Sequence, residues 1–151
     1  PVTSMGGMTI DPGSAIEDLT PDAYDALVVI GSDGWTGDDA PDIAPVLRAA
    51  DEAGKVVGAI CAGTVAAARA GLLDSRRHTS NALDFMRCYT PGYRAWDLYV
   101  DTPAAVRDGT LVTAAGSAPV TFTIEVLGAL HPERADSLAQ FRAMCAAELA
   151  G

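Results

Sequence analysis

Cys61 has the clearest potential for chemistry, because it stands between a predicted strand and a predicted helix. The run Val56 to Ile60 is apolar and partly β-branched, which is typical of a buried strand. The alanine-rich run Val65 to Leu73 predicts a helix. Small residues on either side of Cys61 predict a sharp turn that holds the thiol beside the first N–H groups of the helix. Because such groups stabilise a thiolate, the pattern predicts a nucleophile elbow in a cysteine enzyme.

A second loop is expected to lie beside this cysteine. The predicted strand Tyr24 to Ile30 ends in the glycine-rich loop Gly31 to Gly37. Ligands of open α/β sheets bind beyond the carboxyl ends of the strands. If the two strands are neighbours, backbone N–H groups near Ser32 and Ala62 face one oxyanion beside the sulfur. Cys61 is then expected to attack an electrophilic carbon, most readily that of a carbonyl group.

Four further residues are pocket candidates, and each also has an ordinary structural interpretation. Gly31 stands at the start of the loop, and Trp35 either lines the pocket or covers the edge of the sheet. Thr64 either touches substrate or supports the elbow helix. His78 lies in a polar connection, where it is either near the pocket mouth or in solvent.

The order of predicted elements indicates one α/β domain over residues 1–151. Strands alternate with helices, which implies a mostly parallel sheet covered on both faces. Besides the strands and helix above, the patterns predict short strands at 8–10, 98–101, 105–106 and 111–114, and helices at 42–53, 81–89 and 133–149. Asn81 is expected to cap the helix that ends near residue 89, and the strand at 24–30 is expected to be buried on both faces.

Composition and charge argue against several classes of function. The 151 residues carry a formal net charge of −10, which argues against binding nucleic acid or an anionic membrane. No run approaches the roughly 20 apolar residues that span a bilayer. The three cysteines, at 61, 88 and 145, show neither paired nor metal-ligand spacing. We therefore expect reduced thiols in a cytoplasmic protein that uses no metal and no cofactor.

Several motifs, in order along the chain, resemble those of the ThiJ/PfpI family, within the class I glutamine amidotransferase-like superfamily. The matching segments are Ala59–Gly63, Gly71–Leu73 with Arg77–Ser80, Asp108–Gly116, Met5–Gly7 and Tyr24–Trp35. The resemblance implies a flavodoxin-like three-layer sandwich, a reactive elbow cysteine, a small-molecule substrate and usually a homodimer. Activities in that family include amidase or peptidase, deglycase or glyoxalase-type hydration, isocyanide hydration and redox-linked chaperone roles.

Departures from the family pattern narrow these expectations. Members open with a strand and helix before the Met5–Gly7 region and carry an acidic residue near the cysteine. We expect that segment to be missing from this chain. The loop reads Ile30-Gly31-Ser32 where Pro-Gly-Gly is usual, and Ala62 stands where protease-like members have His, which counts against peptidase chemistry. The stretch 93–101 contains no His to replace it, so the general base is unassigned.

Two alternative functions stay open beside a cysteine-dependent hydrolase, amidase or hydratase. The triplet His131-Pro132-Glu133 spells the His-x-Glu of glutaminases, in which His131 is the base for Cys61 and Glu133 orients it. That reading needs a strand at 120–126, whereas the family resemblance favours a helix there and a turn at the triplet. The second alternative is a non-enzymatic redox-sensing or chaperone-like module in which Cys61 is oxidised to sulfinic acid.

Overall fold

The computed structural model describes residues 1–4 and 6–149, so Met5 of the Met5–Gly7 motif lies outside the described residues. In chain order the elements are β1 (Val2–Thr3), β2 (Thr9–Ile10), β3 (Ala26–Val29), α1 (Ala44–Glu52), β4 (Val56–Ile60), α2 (Gly63–Arg69), α3 (Leu83–Tyr89), β5 (Val106–Asp108), β6 (Leu111–Ala114), α4 (Pro119–Leu130) and α5 (Ala135–Leu149). Short 3-10 helices lie in several connections. Strands β1 and β2 form a separate antiparallel pair.

The central sheet has the strand order β3-β4-β6-β5, with β4 and β6 inside it. β4 runs parallel to both β3 and β6, and β5 pairs antiparallel to β6 through the predicted turn at Gly109. The predicted α/β fold with a mostly parallel sheet is confirmed. β3, β4 and β6 run in the same direction, so their carboxyl ends lie at the same end of the sheet, where Ile60 is in register with Ala114.

Helices cover both faces of this sheet and complete the three layers of a flavodoxin-like sandwich. On one face, Leu47 of α1, Leu73 after α2 and Met86 of α3 are fully buried in the larger core cluster. On the other face, Phe122 and Val126 of α4 pack in a second core cluster with residues of β4 and β6. The predicted helix over this segment is thus confirmed, and the strand that the glutaminase alternative required is wrong.

Several local predictions differ from the structure, among them the helix expected to reach Leu73, which ends at Arg69. β3 is an edge strand, so the expected burial on both faces is wrong: Val28 is 42% exposed, and Ile30 just after the strand is 70% exposed. The predicted strand at 98–101 is a 3-10 helix, Trp96–Leu98, followed by one isolated bridge between Tyr99 and His78, because no neighbouring strand continues the pairing. α5 begins at residue 135 after a 3-10 turn.

Candidate active site

The turn between β4 and α2 has the conformation expected of a nucleophile elbow. Cys61 has φ 57°, and it is the one residue other than glycine with a positive φ among residues 1–4 and 6–149. Its N–H donates to the carbonyl oxygen of Ala114, 2.9 Å away, so the end of β6 holds the turn in place. Backbone strain of this kind costs of order 1–3 kcal/mol and is concentrated at functional sites.

Thr64 stabilises this strained turn from inside the protein. Its side chain is fully buried, and its hydroxyl donates to the carbonyl oxygen of Cys61 at 2.7 Å. Ser80 Oγ lies 2.7 Å from the same hydroxyl, and Thr64 has already used its proton, so Ser80 is the donor in that second bond. Of the two interpretations of Thr64, the structure therefore supports the positioning role and does not place the side chain at an accessible surface.

The sulfur of Cys61 lies between two glycines that follow β3 and β6, the strands on either side of β4. A Cβ built on Gly31 would stand 2.8 Å from Cys61 Cβ and 3.2 Å from Sγ. A Cβ built on Gly116 would stand 2.9 Å from Sγ. Neither glycine has a positive φ, so this closeness to the sulfur is what favours glycine there. The structure thus brings the predicted loop at Gly31 to the elbow and adds the loop after β6.

Asn81 is the polar side chain that contacts the sulfur. Its Nδ2 donates to Cys61 Sγ at 3.5 Å, and its Oδ1 accepts the N–H of Gly116 at 2.9 Å. The predicted role of Asn81 as a helix cap is wrong, because α3 begins after Ala82 with no side-chain capping bond. Its identity as a turn-forming Asn suggested local capping, and nothing in the linear sequence indicated a contact twenty residues back along the chain.

The two predicted oxyanion residues lie next to this cluster. Ala62 directly follows Cys61 and is almost fully buried. Ser32 follows Gly31, is exposed, and begins the 3-10 turn Asp33–Trp35, in which its Oγ accepts the N–H of Gly34 at 3.2 Å. Two other backbone donors beside the sulfur are already used, since Cys61 N–H bonds Ala114 and Gly116 N–H bonds Asn81. The backbone N–H groups near Ser32 and Ala62 therefore stay the predicted oxyanion donors.

Trp35 occupies the edge of the sheet. Its Nε1–H donates to the carbonyl oxygen of Ile30 at 2.9 Å. Its ring lines a cavity of about 130 Å³ together with apolar side chains of β3 and α1, among them Leu27 and Leu47. These contacts support the interpretation that Trp35 covers the sheet edge.

His78 is fully buried, so its expected position near a pocket mouth or in solvent is wrong. Nδ1 lies 2.7 Å from the carbonyl oxygen of Arg76, and Nε2 lies 2.6 Å from the hydroxyl of Tyr93. Because a carbonyl only accepts, Nδ1 carries the proton of the neutral ring. Nε2 then accepts the single proton of the Tyr93 hydroxyl, which lies nearer to it than to the carbonyl oxygen of Ala95, 3.2 Å away. Burial lowers the pKa of His78 and raises the pKa of Tyr93 to about 12.

The buried imidazole makes folding stability depend on pH. Since the pKa of His78 lies below 6.5 in the folded protein, the unfolded chain binds the proton first as pH falls. We expect the free energy of unfolding to decrease as pH falls below about 6.5, by less than about 1.4 kcal/mol per pH unit. Urea unfolding from pH 8 to pH 5 measures this slope. His78→Gln should flatten the slope and His131→Gln should keep it; equal slopes in both variants would contradict the assignment.

His131 and Glu133 lie far from Cys61. His131 lines a cavity together with Lys55 and Val56 at the start of β4, whereas Cys61 follows the end of that strand. The five residues of β4 span roughly 16 Å. Both side chains are exposed, and Nδ1 of His131 pairs with Glu133 at 3.4 Å. The structure therefore does not assemble the triad of the glutaminase alternative.

Within residues 1–4 and 6–149, no group of three His, Cys, Asp or Glu side chains is arranged to hold a metal ion. In the same residues, no helix combines the length and apolar character that are needed to cross a bilayer.

Comparison with known proteins agrees with this architecture. The model of the DJ-1/PfpI family matches residues 1–129. The chain belongs to the DJ-1/PfpI family. A family member from Bacillus subtilis (strain 168), named uncharacterized protease YoaZ, is 37% identical over 140 residues, which cover 91% of this chain and 65% of that protein. Uncharacterized protease YdeA of the same organism is 33% identical over 126 residues, 83% of this chain and 62% of that protein.

Solved structures of DJ-1/PfpI proteins have the same fold. A DJ-1 superfamily protein from Agrobacterium tumefaciens superposes with a TM-score of 0.88 at 38% identity, over 98% of this chain and 78% of that one. A thiJ/pfpI family protein from Bacillus anthracis superposes with a TM-score of 0.75 at 38% identity, over 83% of this chain and 58% of that one. The chain spans 65% and 62% of the length of the two curated relatives.

Proposed function

We propose that this DJ-1/PfpI protein is a cysteine-dependent hydrolase, amidase or hydratase that acts on a small carbonyl or amide electrophile through Cys61. One observation carries the proposal: the strained elbow presents Sγ between two glycines and against an amide donor. A side chain at either glycine would contact the sulfur, so the bare backbone leaves room for a substrate atom. Cysteines that serve only for packing do not require this arrangement.

The proposed first step is addition of the Cys61 thiolate to the electrophilic carbon. The sulfur electron pair forms the S–C bond, and the C=O π pair moves to oxygen, where backbone N–H groups near Ser32 and Ala62 stabilise the charge. Among the described residues, no ionisable side chain is hydrogen-bonded to Sγ, so the proposal assigns no general base. The relatives' names include the word protease, but the position after Cys61 is Ala62 here, so we propose small molecules rather than peptides.

Turnover of a panel of small amides, esters and aldehydes by wild type, Cys61→Ser and Cys88→Ser tests the proposal. We expect turnover in wild type and Cys88→Ser and none in Cys61→Ser, with a covalent adduct on the Cys61 peptide by mass spectrometry. Cys88 is the matched control because it is an exposed free thiol. Turnover that survives in Cys61→Ser would overturn the proposal.

The variant His131→Ala distinguishes the proposed function from the glutaminase alternative in the same assay. The separation of His131 from Cys61 supports unchanged turnover in this variant. If no substrate is turned over and dilute peroxide adds two oxygen atoms at Cys61, the redox-module alternative is favoured instead.

A further inference from the structure

The orientation of the Asn81 side chain is fixed by a backbone donor. Gly116 N–H can only donate, so the atom of Asn81 that lies 2.9 Å from it is the acceptor Oδ1. The other end of the amide, Nδ2, therefore faces Cys61 Sγ at 3.5 Å. An N–H group is thus directed at the sulfur, and the side chain as a whole is exposed at the surface of the site.

This contact has no alternative explanation in the helix that follows. The N-cap of α3 is Ala82, and no side chain caps it. Asn81 instead joins the loop after β6 to the turn after β4, through Gly116 on one side and Cys61 on the other. Because the N–H of Gly116 already donates to Asn81, it is not free to bond the sulfur. Asn81 therefore supplies the donor that reaches the sulfur from the loop after β6.

We propose that Asn81 is a catalytic residue, whose Nδ2 donates to the Cys61 thiolate and then to the oxygen of the bound carbonyl or amide. This inference rests on the proposed function of Cys61. Nδ2 carries two hydrogens, and one suffices for the sulfur. During addition, the S–C bond forms and the C=O π pair moves to oxygen, so the negative charge moves from one partner of Nδ2 to the other. The amide stays neutral, and the new oxyanion later takes its proton from water.

The substrate class follows from this donor. An uncharged N–H donor selects a ligand with an acceptor oxygen on the electrophilic carbon, as in aldehydes, ketones and carboxamides. Small carbonyl compounds are therefore the class we assign to the site.

The test measures alkylation of Cys61 by iodoacetamide, peptide by peptide, in wild type, Asn81→Ala and Asn81→Asp. Asn81→Ala removes both contacts and should slow alkylation of Cys61 at pH 7 about tenfold. Asn81→Asp keeps an oxygen for Gly116 N–H but places a carboxylate against the sulfur. It should therefore be slower still, on the order of a hundredfold, with half-maximal labelling at higher pH. Ala82→Asp adds the same charge one residue away and should stay near wild type, while exposed Cys88 is the internal reference.

The order of the Cys61 labelling rates among these variants distinguishes a chemical role of Asn81 from a purely structural one. If the Asn81 side chain does not face the sulfur in solution, Asn81→Asp reacts like wild type, and the inference is overturned. Equal rates in all three proteins overturn it as well. If wild-type Cys61 reacts no faster than Cys88, the proposed function is contradicted. The order of the Cys61 labelling rates in wild type, Asn81→Ala and Asn81→Asp still tests the contact between Asn81 and the sulfur.

Discussion

Gly116→Ala is expected to slow alkylation of Cys61 about tenfold to a hundredfold, because displacement of a reacting atom by an ångström has effects of that size. The new methyl group would stand 2.9 Å from Sγ and 3.1 Å from Cys61 Cβ, so the thiol must move. The backbone at Gly116 does not have a positive φ and accepts alanine. We therefore expect the folded structure to be retained and the loss to be confined to the site.

The matched control is Gly13→Ala. A Cβ built on Gly13 meets nothing within 4 Å, and its φ is also not positive, so this variant repeats the substitution without a contact. The measurement is the second-order rate of iodoacetamide labelling of the Cys61 peptide, with circular dichroism to check folding. If Gly116→Ala and Gly13→Ala label at the same rate, the sulfur is not where the structure places it.

Gly63→Ala is expected to destabilise the protein by about 1–3 kcal/mol, the usual cost of overpacking a tight contact. Gly63 is the first residue of α2, and a Cβ there would collide with the carbonyl oxygen of Val29 and stand 3.1 Å from its Cγ1. The obstacle is backbone of the neighbouring strand β3, which cannot turn aside. The elbow would be pushed away from β3, and Cys61 with it.

The expected loss of stability in Gly63→Ala is opposite in sign to the usual effect of this substitution in a helix. Alanine normally stabilises a helix relative to glycine by roughly 0.5–1 kcal/mol. Thermal unfolding followed by circular dichroism should show a midpoint that is lower by several degrees in Gly63→Ala, with Gly13→Ala as the control. A midpoint that is unchanged or raised would mean that the close approach of α2 to β3 is not needed.

Local patterns in the sequence were sufficient to predict the elbow. The apolar run before Cys61, the small residues beside it and the alanine-rich run after it each have one favoured conformation. β4 and the turn lie where those patterns placed them, and α2 overlaps the predicted helix but ends at Arg69. The parallel sheet and its coverage by helices followed from the alternation of elements. These features depend on neighbours in the chain, so sequence alone determines them well.

Features that depend on distant contacts were missed. Asn81 has the residue type and position of a helix cap, and only the packing of the β6 loop against the elbow turns it toward the sulfur. His78 stands in a polar stretch, but its ring is enclosed because Tyr93 and Tyr99 pack edge-on against it. The His131 triplet fits a motif in spacing, and its place at the other end of β4 follows from the helix before it.

The most direct test of the central claim is the relative rate of iodoacetamide labelling of the three cysteines at neutral pH, resolved by peptide mass spectrometry. Cys88 is exposed, whereas Cys61 and Cys145 are only partly so, and accessibility alone therefore predicts that Cys88 reacts first. An activated nucleophile at the elbow predicts that Cys61 reacts first, since thiolate content sets the rate. Labelling of Cys61 ahead of Cys88 would support the account, and labelling in the order of exposure would contradict it.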